Sequence, residues 1–81
     1  MRRVTIMGQA IFFMNENEAY PAPDRDSSQS FAVWLDEEGQ YWLDVHYQRE
    51  WRRAILEPLS SFEEVFEAIK DYDFGEPPKK R

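Results

Sequence analysis

Hydrophobic and polar positions alternate with a period of two through the middle of the chain. Over residues 31–35, Phe31, Val33 and Leu35 fall on one side and Ala32 and Trp34 on the other, and the same alternation resumes over residues 41–47. The polar segment between them, 36–40, contains Gly39, and glycine tolerates the positive φ that hairpin turns require. The pattern therefore predicts an antiparallel hairpin.

Two further segments have the composition of strands. Residues 4–14 are rich in β-branched and aromatic side chains and predict one strand, with a bulge or a close backbone approach at Gly8. Residues 51–56 predict another strand, which ends before Pro58 because proline cannot donate to a sheet. Residues 15–30 are rich in Asn, Glu, Pro, Asp and Ser and predict a long loop.

The periodicity changes to that of a helix after residue 60. Apolar residues recur at i, i+3, i+4 and i+7, in a stripe formed by Phe62, Val65, Phe66 and Ile69. Ser60 is the predicted N-cap and Glu63 its capping-box partner. Gly75 and the two prolines that follow it predict the end of the helix.

These elements predict an α+β fold. The expected architecture is a small four-stranded, largely antiparallel sheet in the order β-β-β-β-α, with one C-terminal helix packed on one face. A chain of 81 residues suits one domain, which we place at residues 1–76, followed by a short basic tail at 77–81. Because one helix covers one face, the other face must be solvated, closed by the 15–30 loop, or used for binding.

Composition narrows the classes of function. The formal net charge of −6 argues against general nucleic-acid binding, which depends on an excess of Lys and Arg. Cysteine is absent, so the sequence has no disulfide and no thiolate metal site. No apolar run approaches the roughly 20 residues of a membrane helix. We therefore expect a cytoplasmic protein that needs no cofactor.

Candidate catalytic chemistry is sparse. His46 is the single histidine and shares a strand face with Asp44, a pairing that can serve general-base catalysis. No nucleophile motif accompanies it, so an ordinary surface histidine is the favoured interpretation. Residues 24–28 have the early spacing of a calcium loop, but Gln29 stands where that loop needs glycine and Leu35 where it needs an acid. We predict that the protein is not an enzyme and has no metal site.

The outward side of the predicted helix is acidic. The candidate partner-binding residues there are Glu63, Glu64, Glu67, Asp71 and Asp73. Like charges at i, i+4 repel each other, and acids near a helix C-terminus oppose its dipole. We therefore predict a non-enzymatic interaction or inhibitor protein that binds a basic, nucleic-acid-handling partner through this face. The alternative interpretation is an ordinary solvated helix face.

Trp34 and Trp42 share the hairpin face opposite the predicted helix and are also candidate partner-binding residues. Tryptophan is enriched at interface centres, and adjacent exposed apolar residues mark interaction sites. The alternative is that the first strand or the long loop covers both rings. Residues 10–14 are apolar on two faces, which makes a homodimer a further hypothesis.

A second functional hypothesis rests on a basic, aromatic segment. Its candidate nucleic-acid-binding residues are Arg49, Trp51, Arg52 and Arg53. Aromatic rings on a sheet stack bases while guanidinium groups hold phosphate, which predicts a binder of single-stranded nucleic acid or of an operator. The competing interpretation buries Trp51 in the core and pairs the arginines with local acids such as Asp44 and Glu50.

Two resemblances accompany these hypotheses. Residues 31–72, a strand-turn-strand unit followed by a strand and a helix, resemble the small sheet with one helix of antitoxin-type proteins, which implies a regulator. In size, charge and lack of motifs the chain is similar to phage-encoded inhibitors of bacterial defence, including anti-CRISPR proteins, which implies an inhibitor. The second similarity is one of composition, and neither resemblance identifies a family.

Overall fold

The computed structural model describes residues 1–72 and residue 77. Along the chain the elements are β1 (Arg2–Ile6), β2 (Gln9–Asn15), β3 (Gln29–Leu35), β4 (Tyr41–Tyr47), β5 (Glu50–Arg53) and α1 (Phe62–Asp71). The strands form a sheet in the order β1-β2-β3-β4-β5, and α1 packs on one of its faces. The α+β class with one C-terminal helix is therefore confirmed for the described residues.

The prediction of a single strand over residues 4–14 is wrong, because the chain reverses at Met7 and Gly8. These two residues have φ angles of 53° and 77°, the backbone of a tight two-residue hairpin turn. β1 and β2 pair antiparallel across this turn. Gly8 thus belongs to a turn rather than a bulge, and the sheet has five strands instead of four.

The predicted antiparallel arrangement fails at one pairing, because β2 and β3 run parallel and the sheet is therefore mixed. Ile11 lies opposite Phe31 in this pairing, while the other three pairings are antiparallel. Parallel neighbours need a crossover connection of about a dozen residues or more, and residues 16–28 provide it. We call this segment the crossover connection.

The central hairpin is confirmed with the predicted bounds for β4. Trp34 lies directly opposite Trp42 across β3 and β4. In the turn, Oδ1 of Asp36 accepts two backbone N–H groups, each at 2.9 Å, and Gly39 has the expected positive φ of 81°. The positive φ of Gly39 was predicted from the sequence, and the structure adds the Asp36 side chain as a second determinant of this turn.

β5 follows β4 through a second tight turn. Gln48 and Arg49 both have positive φ angles, 49° and 73°, which again is the backbone of a two-residue hairpin. β5 spans Glu50–Arg53 and is shorter than the predicted 51–56. The backbone N–H of Ala54 still donates to the carbonyl of Leu43 at 2.9 Å, so the chain leaves the sheet gradually.

The helix begins one residue later than predicted. Ser61 is the N-cap, and its hydroxyl accepts the backbone N–H of Glu64 at 3.3 Å. The Glu64 carboxylate accepts the backbone N–H and the hydroxyl of Ser60 at 2.7 and 2.8 Å, and these donors hold the pKa of Glu64 below its usual range. The hydroxyl half of the predicted capping box is therefore present one residue later, whereas the carboxylate half binds Ser60, the residue before the N-cap, instead of the N-cap itself.

The core lies between α1 and the sheet. Its buried side chains are Ile11, Phe31, Val33, Leu43, Val45, Ala54, Val65 and Ile69. On α1, Val65 and Ile69 are 0% and 5% exposed, whereas Phe62 and Phe66 remain 46% and 40% exposed. The predicted apolar stripe therefore buries two of its four residues and leaves two aromatic rings at the border of the helix.

Replacing Ile69 with alanine is expected to lower the free energy of unfolding by about 2–5 kcal/mol, because the truncated side chain leaves a cavity beneath α1. The neighbouring Lys70 is exposed, and Lys70→Ala should change that free energy by less than about 0.5 kcal/mol. Urea denaturation followed by circular dichroism measures both variants. Equal stabilities would contradict the packing of α1 through Ile69.

Candidate functional site

The sheet face opposite α1 is organised around one buried carboxylate. Asp44 projects from β4 onto this face and is 2% exposed. Its Oδ1 accepts Nε of Arg53 at 2.6 Å, and its Oδ2 accepts the Tyr20 hydroxyl at 2.5 Å and the Trp34 indole N–H at 3.1 Å. An ion pair and two further hydrogen bonds thus compensate the buried charge, which would otherwise be costly.

The crossover connection folds across one half of this face. The Tyr20 ring stacks on Trp51, with ring centroids 5.5 Å apart and an interplanar angle of 19°. The carbonyl of Pro21 accepts the Trp51 indole N–H at 3.0 Å. Trp51 is therefore enclosed between the crossover connection and the sheet.

The second apolar face of β2 is covered within the single chain. Ala10, Phe12 and Met14 are 0%, 7% and 8% exposed, and the Phe12 ring meets Trp51 edge-on, with centroids 6.4 Å apart. The burial of these residues requires no second copy of the chain. The apolar pattern that suggested a homodimer has its explanation in this intrachain packing.

The packing of Tyr20 changes its acidity. Burial, together with the hydrogen bond to the Asp44 carboxylate, raises the pKa of Tyr20 to about 12. Deprotonation would remove the donor of that hydrogen bond and place a second negative charge beside Asp44. The neutral tyrosine therefore holds the crossover connection against the sheet.

Trp34 and Trp42 occupy the other half of this face as a stacked pair. Their ring centroids are 5.9 Å apart, with an interplanar angle of 23°. The Arg53 guanidinium lies 4.4 Å from the Trp42 ring centroid and 5.7 Å from that of Trp34, within the range of cation–π attraction. Both indoles are half-buried. Arg53 covers part of the pair, and the remaining surface of the rings lines a pocket.

That pocket, which we call the tryptophan pocket, has a volume of about 370 Å³. Its lining consists of Trp34, Trp42, Arg53 and four acids: Glu16, which follows β2, and Asp36, Glu37 and Glu38 of the β3–β4 turn. Asp36 also accepts the Trp42 indole N–H at 2.9 Å. Hydrogen bonds hold the pKa of Asp36 below its usual range, and the largest effect comes from the backbone N–H of Gln40, with the Trp42 indole second.

The acidic side chains of α1 lie on the other side of the molecule. Glu63, Glu67 and Asp71 are exposed at i, i+4 spacing, and within residues 1–72 and 77 none of them forms an ion pair or a side-chain hydrogen bond. Glu64 is occupied by the helix cap. Asp73, and the predicted basic tail apart from residue 77, lie outside the described residues.

The predicted partner-binding residues therefore do not form one surface. Trp34 and Trp42 face away from α1, on the side of the sheet that carries Asp44. The acidic helix and the tryptophan pair are separated by the sheet and by the core beneath α1. Each of the two surfaces must be considered by itself.

The alternative nucleic-acid site is also divided. Trp51 and Arg53 lie on the face covered by the crossover connection, whereas Arg52 lies on the α1 side, opposite Val45 in the sheet. Arg52 donates from Nη2 to the carbonyl of Pro77 at 3.2 Å. Arg49 is exposed in the β4–β5 turn. The arginines thus do not extend one platform with Trp51.

The candidate catalytic pair does not assemble. His46 meets Trp51 edge-on, with ring centroids 5.2 Å apart, while both oxygens of Asp44 are engaged by Arg53, Tyr20 and Trp34. In the part of the chain that the structure describes, no three His, Cys, Asp or Glu side chains converge to hold a metal ion. The geometry therefore does not orient His46 as a general base through Asp44.

Sequence reasoning missed the role of Tyr20, although one of its interpretations paired the arginines with Asp44, as Arg53 does. The available signal was the position of Asp44 in a strand whose flanking positions are apolar. A carboxylate in that setting is buried only when a cation and hydrogen-bond donors compensate it. Arg53 supplies the cation, because it lies directly opposite Asp44 on the next strand.

Comparison of the chain with protein-family models, with curated proteins and with solved structures finds no match. Among the described residues, no helix has the length and apolar character needed to cross a membrane. The two faces of the molecule are therefore the features from which a function can be inferred.

Asp44→Ala is expected to lower the free energy of unfolding by about 3 kcal/mol, the lower end of the range for breaking a buried ion pair, because Arg53 retains access to water. Asp26→Ala, a change of the same kind at an exposed position of the crossover connection, serves as the control. Thermal and urea unfolding measure both variants. Equal losses would contradict the central role assigned to Asp44.

Tyr20 gives the crossover connection a pH limit. Because the pKa of Tyr20 is about 12 in the folded protein and about 10 in an unfolded chain, its stabilisation is complete below pH of about 10 and is lost as the pH rises through about 12. A titration of tyrosinate absorbance should show a late step near pH 12 that Tyr20→Phe removes. Loss of an earlier step instead would contradict the assignment.

Proposed function

We propose that this protein is a non-enzymatic interaction protein that binds a basic partner protein through the outward face of α1. The observation that carries the proposal is the row formed by Glu63, Glu67 and Asp71, which are exposed and have no cationic partner among the described residues. Like charges at i, i+4 destabilise a helix by about 0.2–0.5 kcal/mol per pair. A partner that supplies the missing cations would offset this repulsion.

An aromatic border supports the same surface as a binding site. Phe62 and Phe66 lie beside the carboxylates on α1, partly exposed, with ring centroids 6.2 Å apart. Beyond Phe66 an apolar groove of about 250 Å³ reaches Ile6 and Met7 at the β1–β2 turn. Aromatic side chains surrounded by polar groups are typical of the energetic centre of an interface. The face thus combines charges for steering with apolar area for contact.

The spacing of the carboxylates favours a particular class of partner. Residues four apart on a helix lie about 6 Å apart along its axis, so the row presents negative charge at regular intervals. A groove lined with Lys and Arg, of the kind that binds nucleic-acid phosphates, is complementary to such a row. We therefore propose a nucleic-acid-handling partner and inhibition by occupation of its basic groove. An inhibitor of the phage anti-defence type is the most specific form of this proposal.

Direct nucleic-acid binding through Arg49, Trp51, Arg52 and Arg53 has weaker support. Arg53 is paired with the buried Asp44, and Trp51 is stacked under Tyr20. A binder of single strands needs exposed rings beside unpaired cations. The capture experiment described next also tests this alternative.

The charge-reversal variant Glu63→Lys/Glu67→Lys/Asp71→Lys should abolish capture of basic, nucleic-acid-binding proteins from a bacterial lysate, because repulsion replaces steering. The wild-type protein should capture them at low salt and release them as salt screens the charges. Mass spectrometry of the eluates identifies the proteins, and circular dichroism verifies that the variant remains folded.

The matched control is Asn17→Lys/Ala22→Lys/Asp26→Lys/Glu50→Lys, which changes the net charge equally at exposed positions outside α1 and outside the tryptophan pocket and should leave capture intact. Equal loss in both variants would show that net charge alone governs binding. Unchanged capture by the α1 variant would refute the proposal. Recovery of nucleic acid, without protein, would favour the arginine-based alternative.

A further inference from the structure

We infer that the tryptophan pocket binds the guanidinium group of an arginine side chain presented by a partner polypeptide. The pocket lies between the Trp34–Trp42 pair and the β3–β4 turn, on the sheet face opposite α1. The inference is therefore independent of the function proposed for α1, and either can fail without the other. Three features of the pocket carry it.

The first feature is a guanidinium that the same rings already hold. Arg53 lies 4.4 Å from the Trp42 ring centroid and 5.7 Å from that of Trp34. The faces of indole rings carry negative electrostatic potential, which attracts cations. Arg53 itself is paired with Asp44 at 2.6 Å. It is therefore part of the lining of the pocket and is not the ligand that we propose for it.

The second feature is an excess of negative charge at the rim. Glu16, Glu37 and Glu38 come from two separate connections and line the same pocket. Within residues 1–72 and 77, none of the three forms an ion pair. Because Asp44 already neutralises Arg53, these carboxylates give the pocket a net negative charge, which attracts an incoming cation.

The third feature is that the aromatic walls are held in place before any ligand arrives. The Trp34 indole N–H donates to Asp44 at 3.1 Å and the Trp42 indole N–H to Asp36 at 2.9 Å. A pre-organised wall lowers the entropic cost of binding. The volume of about 370 Å³ is near the lower end of ligand pockets, roughly 300–1,000 Å³, and it suits one long side chain.

The choice of arginine over lysine follows from shape. A guanidinium is planar, so its face can stack on an indole while N–H groups at its edge donate to a carboxylate. The tryptophan pocket is lined by both indole rings and by the carboxylates of the turn and of Glu16, so a guanidinium placed there has both kinds of group beside it. An ammonium group is compact and strongly hydrated, and it cannot use both kinds of surface in this way.

The test uses the peptide acetyl-Gly-Arg-Gly-amide and its citrulline analogue, which replaces the guanidinium with an uncharged group of the same shape. Nuclear magnetic resonance follows the three indole N–H signals during titration. The arginine peptide should shift the signals of Trp34 and Trp42 saturably. Trp51, whose indole N–H is bound to Pro21 beneath the crossover connection, should stay unshifted. The citrulline peptide should bind at least about fivefold more weakly.

Matched variants locate the site. Glu37→Gln/Glu38→Gln, at exposed turn positions, should weaken binding of the arginine peptide at least about fivefold while the spectrum of the folded protein is retained. Asp26→Asn/Glu50→Gln removes the same charge from exposed positions outside both α1 and the tryptophan pocket and should leave the affinity unchanged. Equal affinity for the citrulline peptide, equal affinity for a lysine peptide, or absence of a saturable shift at Trp34 and Trp42 would each overturn the inference.

Discussion

The buried carboxylate of Asp44 is the constraint on which the sheet face opposite α1 depends. A lone charge at this depth would cost several kcal/mol, so groups from three other segments converge on it: Arg53 from β5, Trp34 from β3 and Tyr20 from the crossover connection. Each partner has a second contact, since Arg53 lies on the tryptophan rings and Tyr20 stacks on Trp51. The contacts of one carboxylate thus position both the half of this face that the crossover connection covers and the half that carries the tryptophan pair.

The negative charges of the protein divide into those that structure the chain and those that do not. Asp44, Asp36, Asp24 and Glu64 accept hydrogen bonds that hold the sheet face, a turn, the crossover connection and the helix cap. Other acids, among them Glu16, Glu37, Glu38, Glu63, Glu67 and Asp71, have no ion pair within the described residues. The members of this second group lie on opposite faces, which is why the molecule offers two acidic surfaces of different character.

The sequence predicted what depends on neighbouring residues along the chain. The central hairpin, the helix and the long connection follow from alternation, periodicity and composition. The parallel pairing of β2 with β3 could not be predicted from the sequence, because the alternation of apolar residues is the same for either strand direction. Met7 also gave no local signal that the chain would turn within the first predicted strand. Contacts such as Tyr20 with Asp44 join distant residues and leave no local pattern. The separation of Arg52 from Arg53 was accessible, since adjacent residues of a strand point to opposite faces.

The crossover connection also determines how the molecule assembles. Within β1–β2 and within β3–β4–β5 the strands close across short turns, and such hairpins form in about 1–10 μs. The parallel pairing joins residues about 20 positions apart, as Ile11 and Phe31 show, and closing that longer loop costs more chain entropy. We therefore expect the two hairpin units to form before they merge into one sheet. Tyr20 then anchors the connection between them to the second unit, through its contacts with Asp44 and Trp51.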